Sequence, residues 1–384
     1  MRTLVDGSLL AALDAVAADE KLLLREPSRA LVEAIRSVSE AYNALGSSGR
    51  ARRPVVNSTG ARSARLHFFL PRDVGKTYEA ARELLPRFAA GATLRAVDLG
   101  AGLGASALGF AMLLRDERPD LRLAVTLIDD DASALRVAER LFRELFPGGA
   151  VEVVTRSEPL SAFEGRGAVD LVLASNVLCE LECGAEPLLR ADKVAALVHR
   201  WLRGLAEGGH VLLVEPALKA TARALQALRS RMISSGFHVV APCTHEKGCP
   251  LLVDEGDWCH EDRAVALPSA LIPIARAAGL HYEGLTFAFV VLTRDLVPER
   301  EGCARVVAPP RSAKGKRSLT LCHAGADATV GEAAVLERLD RHRGDAHEAW
   351  TGAERGSVLR LAPWPSASRL ALEVSIALEE PCVR

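Results

Sequence analysis

The octapeptide Val97-Asp-Leu-Gly-Ala-Gly-Leu-Gly104 follows a short apolar run and precedes a helical pattern, an order that restricts the possible folds more than any other stretch of the chain. Its glycines let the backbone turn sharply and approach a ligand, and the helix behind them contributes the partial positive charge of its amino end. The same rhythm repeats downstream. Apolar strands are expected at 95–98, 123–128, 151–154, 171–174 and 210–215, with helices near 105–115, 132–145, 193–206 and 220–235. Such alternation is the pattern of a doubly wound α/β sheet. Gly208-Gly209 is expected to stop the helix before the last of these strands, and Gly236 the helix after it.

With 48 basic and 49 acidic residues, the overall charge announces no nucleic-acid partner, so any such partner must be met by a local patch. The first residues lack a basic region leading into an apolar stretch, and no run approaches the ~20 apolar residues needed to span a bilayer. These features predict a soluble, cytoplasmic protein without membrane contact. Eight cysteines in such a chain favour thiols and metal ligands over a disulfide framework.

Residues 1–90 read as a helical region, interrupted at 47–71 by a stretch carrying Arg50, Arg52, Arg53, Arg62 and Arg65. That stretch is expected to be an exposed loop, either a solvated linker or an RNA contact. Residues 91–322 form the expected sheet domain, with an insertion at 241–262, a further helix near 267–278 and a strand at 286–293. Cations gather again at 305–317, before a strand-like 318–321. The extension 323–384 shows no clear pattern, and the chain has no internal repeat.

Gly100, Gly102 and Gly104 alone would also fit a dinucleotide fingerprint, and hence an oxidoreductase. Asp98 tilts the reading toward S-adenosylmethionine, because an acid at this position can meet the cationic amino-acid end that dinucleotides lack. Asp129, ending the second strand, is placed to accept hydrogen bonds from ribose hydroxyls. Ser175-Asn176-Val177-Leu178 after the fourth strand lacks the Asn/Asp-Pro-Pro-aromatic run of amino-methylating enzymes, and Cys179 lacks the Pro-Cys setting of a cytosine-methylating thiolate. Cys179 and Cys183 read as small buried hydrophobes. No methyl-transfer base is identifiable.

Cys243, Cys249 and Cys259 fall in one irregular segment, which suggests a metal site holding zinc or an iron–sulfur cluster. The gaps between them are not those of a zinc ribbon, and Cys249-Pro250 has the look of the Cys-Pro pairs at iron–sulfur sites. A fourth ligand is needed. Cys322 is the first candidate, since it follows a strand that could pair back to the sheet domain; Cys303, His245, His260 and His323 compete with it.

Taken together, Asp-Leu-Gly-Ala-Gly-Leu-Gly, Ala-Ser-Asn-Val-Leu-Cys-Glu-Leu, Val-Glu-Pro, Val-Ala-Pro-Cys-Thr-His-Glu-Lys-Gly-Cys-Pro and Asp-Trp-Cys-His resemble the mitochondrial ribosomal small-subunit methyltransferase-like assembly factors and their bacterial relatives. The likeness covers 68–325. It implies a Rossmann-like class I methyltransferase sheet with an inserted cysteine site, and it adds Asn176 to the cofactor-binding set of Asp98, Gly100, Gly102, Gly104 and Asp129. It further implies a [4Fe–4S] cluster on Cys243, Cys249, Cys259 and Cys322, and association with small-subunit ribosomal RNA. Two functions fit: methylation of ribosomal RNA, or a non-catalytic assembly role in which cofactor and cluster stabilise a docking surface. A dinucleotide oxidoreductase with a metal centre is a third.

Overall fold

Strand β1 (Thr93–Leu99) opens an eight-stranded sheet. It is joined by β2 (Arg122–Asp129), β3 (Val151–Ser157), β4 (Val169–Ser175), β5 (Leu205–Pro216), β6 (His238–Ala241), β7 (Glu261–Arg263) and β8 (Leu285–Thr293) in the order β3-β2-β1-β4-β5-β8-β6, with β7 also on β8. The first five strands run parallel, and β8 is antiparallel to β5, β6 and β7. The computed structural model describes residues 5–48, 58–181, 187–280, 284–342, 344, 347–366, 368–370 and 374–379. Arg50, Arg52, Arg53, Cys183 and Cys382 lie outside the described residues.

Alternation along the strands sends Leu94, Ala96, Leu123, Val125, Leu171 and Leu173 to one face, under the helices Ala105–Glu117 and Ala132–Leu145. Leu99, Val172, Ala174, Val211 and Leu213 go to the other, under Pro187–Trp201 and Lys219–Ser234. Helix Ala132–Leu145 starts where Asp131 caps it, its carboxylate accepting from the N–H groups of Ser133 and Ala134, both at 3.0 Å. The connection from β3 to β4 contains no helix, which leaves part of the second face open over β1 to β3. Val154 is 59% exposed there.

Helix Ala105–Glu117 crosses Leu70–Ala81 at Gly109. A Cβ on Gly109 would fall inside contact distance of the Val74 carbonyl oxygen and 3.2 Å from the Tyr78 amide nitrogen. Gly109→Ala is therefore expected to destabilise by about 2–3 kcal/mol in urea unfolding, because overpacking against rigid backbone outweighs the ~1 kcal/mol gain in helix propensity. Gly7→Ala, with open space at its Cβ, is expected to show no such loss.

Three expectations are corrected by the structure. Gly208 and Gly209 lie inside β5; the preceding helix stops at Trp201 and tightens into Leu202–Gly204, where a Cβ on Gly204 would stand 2.8 Å from the Arg166 amide. The expected loop at 47–71 is, from 58 on, a helix Thr59–Ala64 running into a π-helical turn Arg65–Phe69, with Ala61, Ala64, Leu66 and Phe68 buried. Residues 318–321 do not return to the first sheet. They belong to a second, antiparallel sheet.

That sheet comprises β9 (Cys303–Val306), β10 (Arg311–Ala313), β11 (Lys316–His323), β12 (Glu332–Leu339), β13 (Val358–Ala362) and β14 (Ser375–Glu379). Strand β11 pairs with β12 along its whole length and meets β9 at Leu321↔Val306 and Cys322↔Arg305. Its core gathers Leu319, Leu321, Leu336, Trp350, Leu359 and Leu361. Among the described residues no helix is long and apolar enough to cross a membrane.

Candidate functional site

Past β1 the chain turns through three left-handed glycines, Gly100 (φ 68°), Gly102 (52°) and Gly104 (82°), the last beginning helix Ala105–Glu117. Packing alone demands two of them. A Cβ on Gly100 would stand 2.6 Å from Val177 Cγ2, and one on Gly104 3.2 Å from Ala138 Cβ. At Gly102 the nearest atom to such a Cβ is the tip of a flexible side chain, Arg65 Nη2, so the space above this glycine is open to a ligand once that tip shifts.

Asp98 is 1% exposed. Its Oδ2 accepts from the Ala107 N–H at 3.0 Å, inside the first turn of the helix, and its Oδ1 has no hydrogen-bond partner among the described residues. Burial pushes its carboxyl up to about 8, against the Ala107 amide and with help from the charge of Asp129. Asp129 ends β2 and accepts from the N–H groups of Gly102 and Asp131, each at 2.8 Å. Burial raises its pKa, while those amides and the Arg65 guanidinium oppose the rise.

At the end of β4, Asn176 adopts a left-handed φ of 57°, uncommon outside glycine, and donates its N–H to the Val214 carbonyl at 2.8 Å. Its Oδ1 and the neighbouring Ser175 Oγ are buried without partners. All of these atoms lie at the carboxyl ends of β1, β2 and β4, the edge where open α/β sheets take their ligands. Buried acceptors without partners are costly in a folded protein, and here they surround a glycine turn. The donor and acceptor set fits a nucleoside cofactor carrying an amino group.

Glu215 is a residue the sequence reading did not assign. It is buried at the end of β5 and accepts from three successive amides, Val177 at 3.1 Å, Leu178 at 2.8 Å and Cys179 at 3.0 Å. Burial pushes its carboxyl up to about 7, opposed by those bonds. Its position before Pro216 at a strand end was the available signal. By this anchorage the segment after β4 is a fixed apolar cap, with Val177 and Leu178 buried and Cys179 half-buried.

Cys243, Cys249, Cys259 and Cys322 line a single pocket, together with His245 and Arg305. Cys303 is buried in β9 and is not among the residues that line it. The segment is clamped from helix Lys219–Ser234: Arg223 donates to the carbonyls of Leu251, Leu252, Asp254 and Asp257, and Arg229 to those of His245 and Lys247. From the second sheet, Gly248 bonds to Thr329 at 2.8 Å and Gly331 to Gly248 at 2.9 Å. His245 Nε2 stands 3.5 Å from Cys322 Sγ.

Burial, then the neighbouring thiols, push Cys249 up to about 11 and Cys259 and Cys322 further still. Among the described residues no three His, Cys, Asp or Glu side chains are arranged to hold a metal ion.

The other basic stretch is also divided by the structure. Arg305 is buried and ion-paired, Lys316 pairs with Glu337 at 2.6 Å, Arg317 donates to the Ala353 carbonyl at 2.7 Å, and Arg311 and Lys314 are exposed.

A β3-β2-β1-β4-β5 parallel sheet with an antiparallel β8 beside β5, a glycine turn after β1 and an acid ending β2 defines a class I methyltransferase-like fold. The chain belongs to the family described as Mitochondrial small ribosomal subunit Rsm22, whose sequence profile matches residues 72–356. Among solved structures it is similar to a methyltransferase from Pyrococcus furiosus, with 14% identity, 57% of this chain and 83% of that one covered, and a TM-score of 0.34. It is also similar to the magnesium protoporphyrin IX methyltransferase of Synechocystis PCC 6803, with 15% identity, 63% and 95% covered, and a TM-score of 0.38. No curated protein matches it.

Proposed function

We propose that this chain is a cytoplasmic, S-adenosylmethionine-binding member of its family that acts on the small ribosomal subunit and holds a [4Fe–4S] cluster on Cys243, Cys249, Cys259 and Cys322. The cofactor half of this reading is carried by the buried, partnerless Asp98 Oδ1, Ser175 Oγ and Asn176 Oδ1 around the glycine turn. In it, Asp129 accepts from the ribose hydroxyls, Gly102 gives the ligand room, and Asp98 offers its partnerless Oδ1 to the amino group, whose positive charge would draw the carboxyl back to its ionised form. Bound S-adenosylmethionine would supply an electrophilic methyl group.

The preference for a cluster over zinc rests on the sequence: the gaps between the cysteines are not those of a zinc ribbon, and Cys249-Pro250 is similar to the Cys-Pro pairs at iron–sulfur sites. The exposed Arg311 and Lys314 are placed to meet RNA phosphates. One observation favours the non-catalytic assembly role: the segment after β4 is immobilised by Glu215 and presents buried Val177 and Leu178 in place of a polar catalytic run.

The test is calorimetry of purified protein with S-adenosylmethionine and with NAD, paired with sequencing of RNA crosslinked to the protein in cells. Binding of the first ligand only is expected, weakened about 10- to 100-fold in Asp129→Ala by loss of charged hydrogen bonds. NAD binding in its place would return the dinucleotide reading. Absence of small-subunit ribosomal RNA from the crosslinks would remove the partner.

A further inference from the structure

Arg65 opens the π-helical turn Arg65–Phe69, a rare conformation that recurs at functional sites. Packing of the rest of the turn fixes its backbone, because Leu66, His67 and Phe68 are buried and His67 Nε2 is 2.8 Å from the Leu23 carbonyl oxygen. The side chain reaches across to the glycine turn, where Nη2 occupies the space that a Cβ on Gly102 would take, with Asp129 Oδ2 4.0 Å from the same point. The Arg65 guanidinium makes no hydrogen bond or ion pair with another described residue. A guanidinium with five donors is thus aimed over the ligand side of Gly102 without an acceptor.

Resting on the reading that S-adenosylmethionine binds here, we propose that Arg65 is the anchor for the carboxylate of the cofactor's amino-acid end. That end carries one ammonium and one carboxylate. The acids Asp98 and Asp129 suit the cationic parts of the ligand and offer nothing to the carboxylate, so the site needs a cation, and Arg65 brings one to the turn. Its planar fork matches a carboxylate in two parallel bonds, which a lysine cannot reproduce. The amino-terminal region thereby completes a site that the sheet alone leaves unbalanced.

The experiment compares full-length wild type, Arg65→Ala and Arg65→Lys for binding of S-adenosylmethionine and of its decarboxylated analogue, which keeps the ammonium and sulfonium and lacks the carboxylate. Arg65→Ala is expected to weaken S-adenosylmethionine about 10- to 100-fold and to leave the analogue unchanged, with Arg65→Lys between the two. An equal loss for both ligands would reduce Arg65 to a structural support, and tighter binding of S-adenosylmethionine to Arg65→Ala would make it a competitor for the site; either overturns the proposal. Wild type that binds neither ligand overturns the cofactor reading itself. Circular dichroism of each variant separates lost contacts from lost fold.

Discussion

Protein purified without oxygen is expected to be brown, with iron and acid-labile sulfide in equal amounts, four of each per chain in the [4Fe–4S] reading. Changing Cys243, Cys249, Cys259 or Cys322 to Ser should remove the colour and most of the iron, because each lines the same pocket. Cys303→Ser and Cys179→Ser should keep both, since neither thiol lines it. The four ligand variants should also be less soluble, as metal ligation contributes folding free energy. Visible absorption, iron and sulfide assays decide the matter. Colourless anaerobic protein carrying one zinc would falsify the cluster and leave a four-thiol site.

Arg305→Ala is expected to lower stability by about 3–5 kcal/mol in urea unfolding, the range for removing one partner of a buried ion pair. Arg305 is 3% exposed; Nε donates to Glu261 and Nη2 to Glu83, both at 2.9 Å, and Nη1 to the Pro242 carbonyl at 3.1 Å. Truncation strands Glu83 and leaves Glu261 with only Arg263, whose Nη2 is 3.0 Å from its Oε2. The triple variant Arg305→Met, Glu83→Gln, Glu261→Gln should recover much of the loss, since buried ion pairs are often replaceable by neutral groups. A loss below ~1 kcal/mol for Arg305→Ala would show that water reaches the carboxylates and that the cluster of charges is not closed.

Period and punctuation made the first sheet legible. Residues 93–96 of β1 alternate in burial as they alternate in polarity, and helix Ala132–Leu145 was readable because Asp131 caps its start and Leu135, Val137, Ala138, Leu141 and Phe142 repeat on one face. The second sheet was hidden for the opposite reason. β10 is three exposed residues and β12 buries few of its positions, so neither writes a period into the sequence.

Charge misled in a similar way. Arg305 stands at the head of a basic run, yet it pairs with Glu83, 222 residues away, which no local pattern can announce. Arg65 reads as part of a solvated basic loop, and only the packing of Leu66 and Phe68 turns it toward the glycines. The three clustered cysteines were legible from spacing; that Cys322 joins them depends on the register of β11 against β9.

Because Cys322 enters the pocket on β11, the wall is assembled from two distant stretches of one polypeptide, and the later of them is translated last. A chain cut anywhere between Cys259 and β11 presents three thiols and an open side. For the proposed cluster this means that only a polypeptide extending past β11 presents all four sulfurs.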